Sequence, residues 1–225
     1  MHNFFKWFQD FLGALVFSST QASSCGHDLV VTDTSSAGTP TYAVVTPSAC
    51  GELNLAFDNT NEIQNVCISM GDKLCFDIDN VRTFRARVKQ GQTTINAASS
   101  FMIGLASARN DAIDSLAAHL SFRLIGTNEV MIETDDGTTD LDDKATGKNI
   151  STAYVDLMID LSNKKDVKFY VDGSPVCQST TFDVTAYTGS LQVYMQAQKT
   201  ASTNTDSFVI DYVSVEGVRK LPSST

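Results

Sequence analysis

Between Gly51 and Val218 apolar and polar residues alternate with a period of two, in short runs separated by turn residues, which is the pattern of strands with one buried face. Leu53, Leu55 and Phe57 alternate with Asn54 and Ala56. Val66, Ile68 and Met70 precede a Gly71-Asp72 turn and Leu74, Phe76 and Ile78 follow it, so these runs predict a meander. Phe84, Ala86 and Val88 alternate with Arg85 and Arg87, predicting one face in the core and one carrying charge. Phe101 to Leu105 reads as a strand apolar on both faces. Leu120, Phe122 and Leu124 follow, and Val130 to Ile132 leads into an Asp135-Asp136-Gly137 turn. Val155, Leu157, Ile159 and Leu161 alternate with Asp156, Met158 and Asp160, and Val167, Phe169 and Val171 end at Asp172-Gly173, a strong hairpin signal. Leu191, Val193 and Met195, then Phe208, Ile210 and Tyr212, complete about a dozen strands. Only Asn110 to Ala118 departs from the pattern, as one short helical turn. The expected fold class is all-β: an antiparallel double-sheet sandwich over residues 51–219, with a tail at 220–225.

Residues 1–24 carry a different pattern. MHNFFKWFQDFLGALVF crowds five Phe and the chain's single Trp before a Ser/Thr-rich stretch. One reading is a signal peptide, with Lys6 as its basic start, Phe11 to Phe17 as its apolar stretch and Thr20-Gln21-Ala22 as the cleavage site; Asp10 and the early aromatics argue against it. The other is an amphipathic N-terminal arm, because Phe4, Trp7, Phe8, Phe11 and Leu12 fall at helical spacing with Lys6, Gln9 and Asp10 elsewhere on the wheel. Such an arm would use Phe4, Phe5, Trp7, Phe8, Phe11 and Leu12 to bind a partner, and burying six such side chains contributes on the order of 10 kcal/mol before ordering costs. The apolar run is too short, and too interrupted by Lys6 and Asp10, for a membrane span. Residues 25–50, rich in Ser, Thr, Gly and Pro around Leu29-Val30-Val31 and Tyr42-Ala43-Val44-Val45, read as a linker or extended segment.

Composition supports a folded core: 42% of residues are hydrophobic and 19% charged. A net charge of -10, with the sixteen basic residues scattered, removes nucleic acid from the partners. The five cysteines, Cys25, Cys50, Cys67, Cys75 and Cys177, contain no CxxC pair, so no zinc or dithiol redox site is indicated. Their odd number leaves at least one thiol unpaired, and Cys67 and Cys75 sit in strand-like runs where a thiol serves as a small hydrophobe. Whether Cys25 and Cys50 pair is open. His2, His27 and His119 are far apart and near no Gly-x-Ser-x-Gly elbow, so neither a hydrolase triad nor a histidine metal site is supported, and there is no phosphate loop.

One loop is a candidate ion site. Asp135, Asp136, Asp140 and Asp142, with Asp143, offer several oxygen ligands from a flexible segment, which suits Ca²⁺; the competing reading is a solvated turn, since EF-hand spacing is missing and Lys144 follows at once. No other cofactor is expected.

The order of the later segments is recognisable. Tyr154-Val155-Asp156-Leu157-Met158-Ile159-Asp160, then Val167-Lys168-Phe169-Tyr170-Val171-Asp172-Gly173, then Leu191 to Ala197 and the closing Phe208-Val209-Ile210-Asp211-Tyr212-Val213-Ser214-Val215 resemble the concanavalin A-like jelly roll of laminin-G-type and legume-lectin-like domains. More narrowly, Asp58 to Glu62, Gly71 to Asp79, Ala108 to Asp114 and Thr134 to Asp143 resemble segments of uncharacterised structural proteins of tailed bacteriophages. The second resemblance implies a virion component: a non-enzymatic capsid decoration or cement protein at the capsid surface, anchored by its arm to the major capsid protein or another virion protein, with homo-oligomers a further arrangement. The first implies the alternative, a glycan-binding lectin-like module or a tail receptor-binding module, with Tyr154, Tyr170, Tyr187, Tyr194 and Tyr212 as the aromatic platforms open to a sugar. Catalytic members of that sandwich class carry a Glu-x-Asp-x-Glu strand; this chain has none, so no enzyme activity is expected.

Overall fold

Strand β7 (Val81–Gln90) shows how the sandwich is built: Phe84, Ala86 and Val88 are buried in the core, while Arg85, Arg87 and Lys89 stand on the opposite face. A computed structural model describes residues 4–11, 29–45 and 51–219. Sheet one runs β14 (Ser174–Val176), β13 (Lys168–Val171), β12 (Val155–Asp160), β7, β16 (Ser207–Val218), β4 (Leu53–Ala56) and β3 (Thr41–Val44), with β1 (Phe4–Gln9) paired to the second half of β16. Sheet two runs β11 (Asp140–Asn149), β10 (Glu129–Asp135), β9 (His119–Ile125), β8 (Ser99–Ala106), β15 (Ser190–Ser202), β5 (Glu62–Ser69) and β2 (Val30–Asp33), and β6 (Phe76–Asp77) pairs with the start of β15. All these pairings are antiparallel.

The inner faces meet in one apolar core. Phe101 of β8 stacks on Phe208 of β16, with centroids 4.6 Å apart and planes at 9°, and Phe122 of β9 meets Phe169 of β13 edge-on at 5.4 Å. The expected all-β double-sheet sandwich is therefore the fold. Asp172 and Gly173, at φ 49° and 70°, form the two-residue turn of the β13–β14 hairpin. The one departure expected at Asn110 to Ala118 is a single 3₁₀ turn, Ile113–Ser115. Among the described residues no helix is long and apolar enough to cross a membrane.

Three expectations are corrected or narrowed. Residues 4–9 are a strand and not a helix: Phe4 pairs with Val218 and Gln9 with Val213. The run Phe4-Phe5-Lys6-Trp7-Phe8 satisfies both periods, and the unpaired edge of β16 decides between them, because a helix of so few residues has no stability of its own. Phe5 and Trp7 face inward against Phe76, and Phe11 is fully buried. Gly51 makes that burial feasible, since a Cβ there would lie 2.5 Å from backbone atoms of Asp10 and Phe11. Leu12 and the cleavage site considered above lie outside the described residues. Second, of the two readings of residues 25–50, linker or extended segment, the described part is extended: it supplies two edge strands, β2 on sheet two and β3 on sheet one, which cover the open edges of β5 and β4. Third, β5 and β6 do not form a meander across Gly71-Asp72, because both pair with β15. Cys75 is exposed rather than buried, whereas burial pushes the Cys67 thiol up to about 12. Cys25 and Cys50 lie outside the described residues.

Candidate functional site

The outer face of sheet one carries an open aromatic and ionic cluster. A β-bulge between Ile210 and Tyr212 sets two residues of β16, Asp211 and Tyr212, against the single residue Arg87 of β7. The bulge therefore brings a carboxylate and a phenol to one face, where strict alternation would have separated them. Arg87 Nη1 donates to Asp211 Oδ2 at 3.3 Å, and the Tyr212 hydroxyl donates to Asp156 Oδ1 of β12 at 3.3 Å. Phe8 of β1 stacks on Tyr212 at 5.7 Å and remains half exposed. Along β7, Lys89 Nζ donates to Glu52 Oε1 at 3.1 Å, and the Tyr154 hydroxyl donates to the same oxygen. The Tyr154 ring has the Arg87 guanidinium 4.7 Å and the Lys89 ammonium 4.3 Å from its centroid.

The electrostatics follow from this wiring. Burial favours the neutral form of Glu52, but the Tyr154 hydroxyl and Lys89 outweigh it and hold the carboxyl below its ordinary value. Burial pushes Asp211 up against the opposing pull of Arg87, and burial and Asp156 together push Tyr212 up. The face thus offers ring surfaces flanked by fixed carboxylate acceptors and guanidinium donors, the combination that holds a sugar by its C–H face and its hydroxyls. Of the five candidate platforms, Tyr154, Tyr170 and Tyr212 lie here, Tyr170 on β13 standing opposite Met158 of β12. Tyr194 is fully buried, its hydroxyl 2.6 Å from Gln196 Oε1, and the Tyr187 hydroxyl is used on the Ser190 carbonyl.

The outer face of sheet two is roofed. The segment 107–118 crosses it, and Ile113 and Leu116 pack with Cys67, Met102, Ala106 and Tyr194 as a second apolar cluster. This strap is tied at Asp111, which accepts from Thr34 Oγ1 at 2.8 Å and through its carbonyl from Gln196 Nε2 at 3.1 Å. Beyond the strap, Arg123 binds both Glu133 and Asp114, and His119 Nε2 lies 3.6 Å from Glu133 Oε2. His119, Arg123 and Glu133 are all buried. The sequence marks Leu120, Phe122 and Leu124 as core and gives no role to His119, Ser121 and Arg123, which alternation sends to the other face of β9, where Ser121 pairs with Glu133.

The acidic loop is divided by the fold. Asp136 is buried and spent on backbone amides, Oδ1 accepting from Thr138 and Thr139 and Oδ2 from Ala186. Asp135 accepts from the Gly137 amide and stands opposite Asp140 across the β10–β11 hairpin. Burial and then Asp142 push Asp140 up to about 6. Among the described residues no three His, Cys, Asp or Glu side chains converge to hold a metal ion.

No protein-family model matches the sequence, and no curated protein does. Solved structures match across the whole fold. A protein of unknown function from Shewanella oneidensis MR-1 superposes with a TM-score of 0.62 at 12% identity, covering 100% of this chain and 91% of that one. The carbohydrate recognition domain of Emp47p gives 0.58 at 13% identity, over 95% of this chain and 96% of its own. A structure determined in work on endo-acting O-glycanases of human gut bacteria gives 0.61 at 11% identity, over 94% and 98%. This chain has the lectin-like β-sandwich fold. At these identities the likeness concerns the fold, and function must be argued from the site.

Proposed function

We propose that this chain is a non-catalytic glycan-binding module whose ligand lies on the outer face of sheet one, against Phe8 and Tyr212 and beside Asp156, Arg87 and Asp211. The observation that carries the reading is the Phe8–Tyr212 ring pair, Phe8 half exposed, with a carboxylate already hydrogen-bonded at its edge. A stacked pair gives a sugar face a flat, low-entropy seat, and the flanking charges discriminate among hydroxyl arrangements. The fold's likeness to a carbohydrate recognition domain supports the reading. Asp211, Glu52 and Asp156 are committed to Arg87, Lys89 and the two tyrosines, and the Glu-x-Asp-x-Glu strand is missing, which favours binding over hydrolysis. The test is a glycan array with the full chain and its Tyr212→Ala variant. Binding that falls at least about tenfold in the variant supports the site. Undiminished binding would move the site elsewhere, and no binding to any glycan would end the reading.

A second reading, a virion decoration protein held to the major capsid protein, draws on the exposure of Phe4 (67%) and Phe8 (50%) on one face of β1. Its test is co-sedimentation with phage-sized particles from source material. Release by Phe4→Ser with Phe8→Ser supports it, and failure to travel with particles ends it.

A further inference from the structure

We infer that the sugar bound on this face carries a carboxylate, and that Arg85 is the residue that takes it. The inference rests on the glycan-binding reading above and deepens it. Strand β7 sends three cations to the outer face of sheet one, and two of them are already matched, Arg87 by Asp211 and Lys89 by Glu52. Arg85 is exposed and has no ion pair among the described residues, in a chain whose net charge is -10. Its cross-strand neighbours are neutral on both sides, Met158 on β12 and Ser214 on β16. Ser214 in turn is opposite Phe8, so Phe8, Ser214, Arg85 and Met158 form one row across four strands, with Tyr212 alongside.

That row sets the direction of the ligand. Ser214, between Phe8 and Arg85, is buried beneath its neighbours, so a pyranose seated on Phe8 and Tyr212 brings a ring substituent to the guanidinium without contacting that serine. The planar fork of an arginine matches a carboxylate through two parallel hydrogen bonds. One step along the strands, Asp156 and Asp211 repel an anion, so a carboxylate is confined to the Arg85 row and kept from Arg87. Neutral sugars gain only the ring contact and the hydroxyl bonds.

The experiment uses the full chain against pairs of oligosaccharides that differ only in charge: oligogalacturonate and sialyllactose, each beside its methyl ester. Titration calorimetry at low salt is expected to show at least about tenfold tighter binding of one acid than of its ester. Arg85→Gln should bring acid and ester to the same affinity without changing the melting temperature, and Tyr212→Ala should weaken both. Acid and ester bound equally by the unaltered chain, or a preference that survives Arg85→Gln, would overturn the inference while leaving glycan binding standing. Failure to bind any of the four probes would overturn it, and a blank glycan array would overturn the broader reading with it.

Discussion

Arg123 on β9 and Glu133 on β10 form an ion pair sealed beneath the outer face of sheet two, and the same guanidinium reaches outward to the exposed Asp114 of the strap. The pair links the sheet to the segment that covers it. Removing the acid leaves a buried cation with one solvent-screened partner, and breaking a pair of this kind costs about 3–5 kcal/mol. Glu133→Ala is therefore expected to lower the urea midpoint by that equivalent, while Asp114→Ala, at the exposed end, shifts it by less than about 1 kcal/mol. Equal effects would mean that the network is not buried in solution.

Lys199 is fully buried and donates to three backbone carbonyls, those of Asp58, Thr60 and Asn204, with its ammonium 5.8 Å from the Phe57 ring. It holds the β4–β5 loop against the end of β15. Lys199→Met keeps the stem but orphans the carbonyls, so a loss of about 2–4 kcal/mol is expected in chemical denaturation. A neutral result would show that water replaces the ammonium at no cost.

The strand β1 makes a prediction that separates it from a free arm. Trp7 is buried against Phe76, so Trp7→Ala should destabilise the isolated protein by about 3–5 kcal/mol. A detached arm would show no change in melting temperature on the same substitution.

Asp140 gives a pH dependence. Its carboxyl lies above the ordinary 3.8, at about 6, because burial and Asp142 disfavour its charge in the folded state. The folded protein thus binds the proton more tightly than the unfolded chain, so stability from this group rises as pH falls through 6 and the penalty is gone below about 4. Asp140→Asn should therefore stabilise the protein at pH 7.5, by about 0.5 kcal/mol after solvent screening, and have no effect at pH 3.5. A benefit of the same size at both pH values would show that the charge is not the cause.

Period-two alternation in β7 and β12 is enough to read the sandwich, because those strands have one face in the core and one in water. It fails where a segment's fate depends on a distant edge. Phe4 to Phe8 fits two periods, and only the vacancy beside residues 213–218 selects the strand. The short apolar pieces at 30–33 and 41–44 become strands for the same reason. The candidate site was legible as a set of residue types, Tyr154 and Tyr212 among them, but the bulge that sets Asp211 beside Tyr212 leaves no mark in the alternation. Arg123 likewise reaches Asp114 of a strap in which the sequence predicts only one short helical turn, at Asn110 to Ala118.

The pairing of β1 with β16 also orders events in time. The first described strand finds its partner in the last, and β16 lies in the interior of sheet one, between β7 and β4. On a ribosome, sheet one stays split until that final segment emerges, and at about 5–20 residues per second the aromatic N-terminal run waits for on the order of ten seconds or more with its rings unburied. During that interval Phe5, Trp7 and Phe11 are available to any holdase or to another nascent copy, so yield in a cell should respond to chaperone supply more steeply than the finished sandwich's stability would suggest.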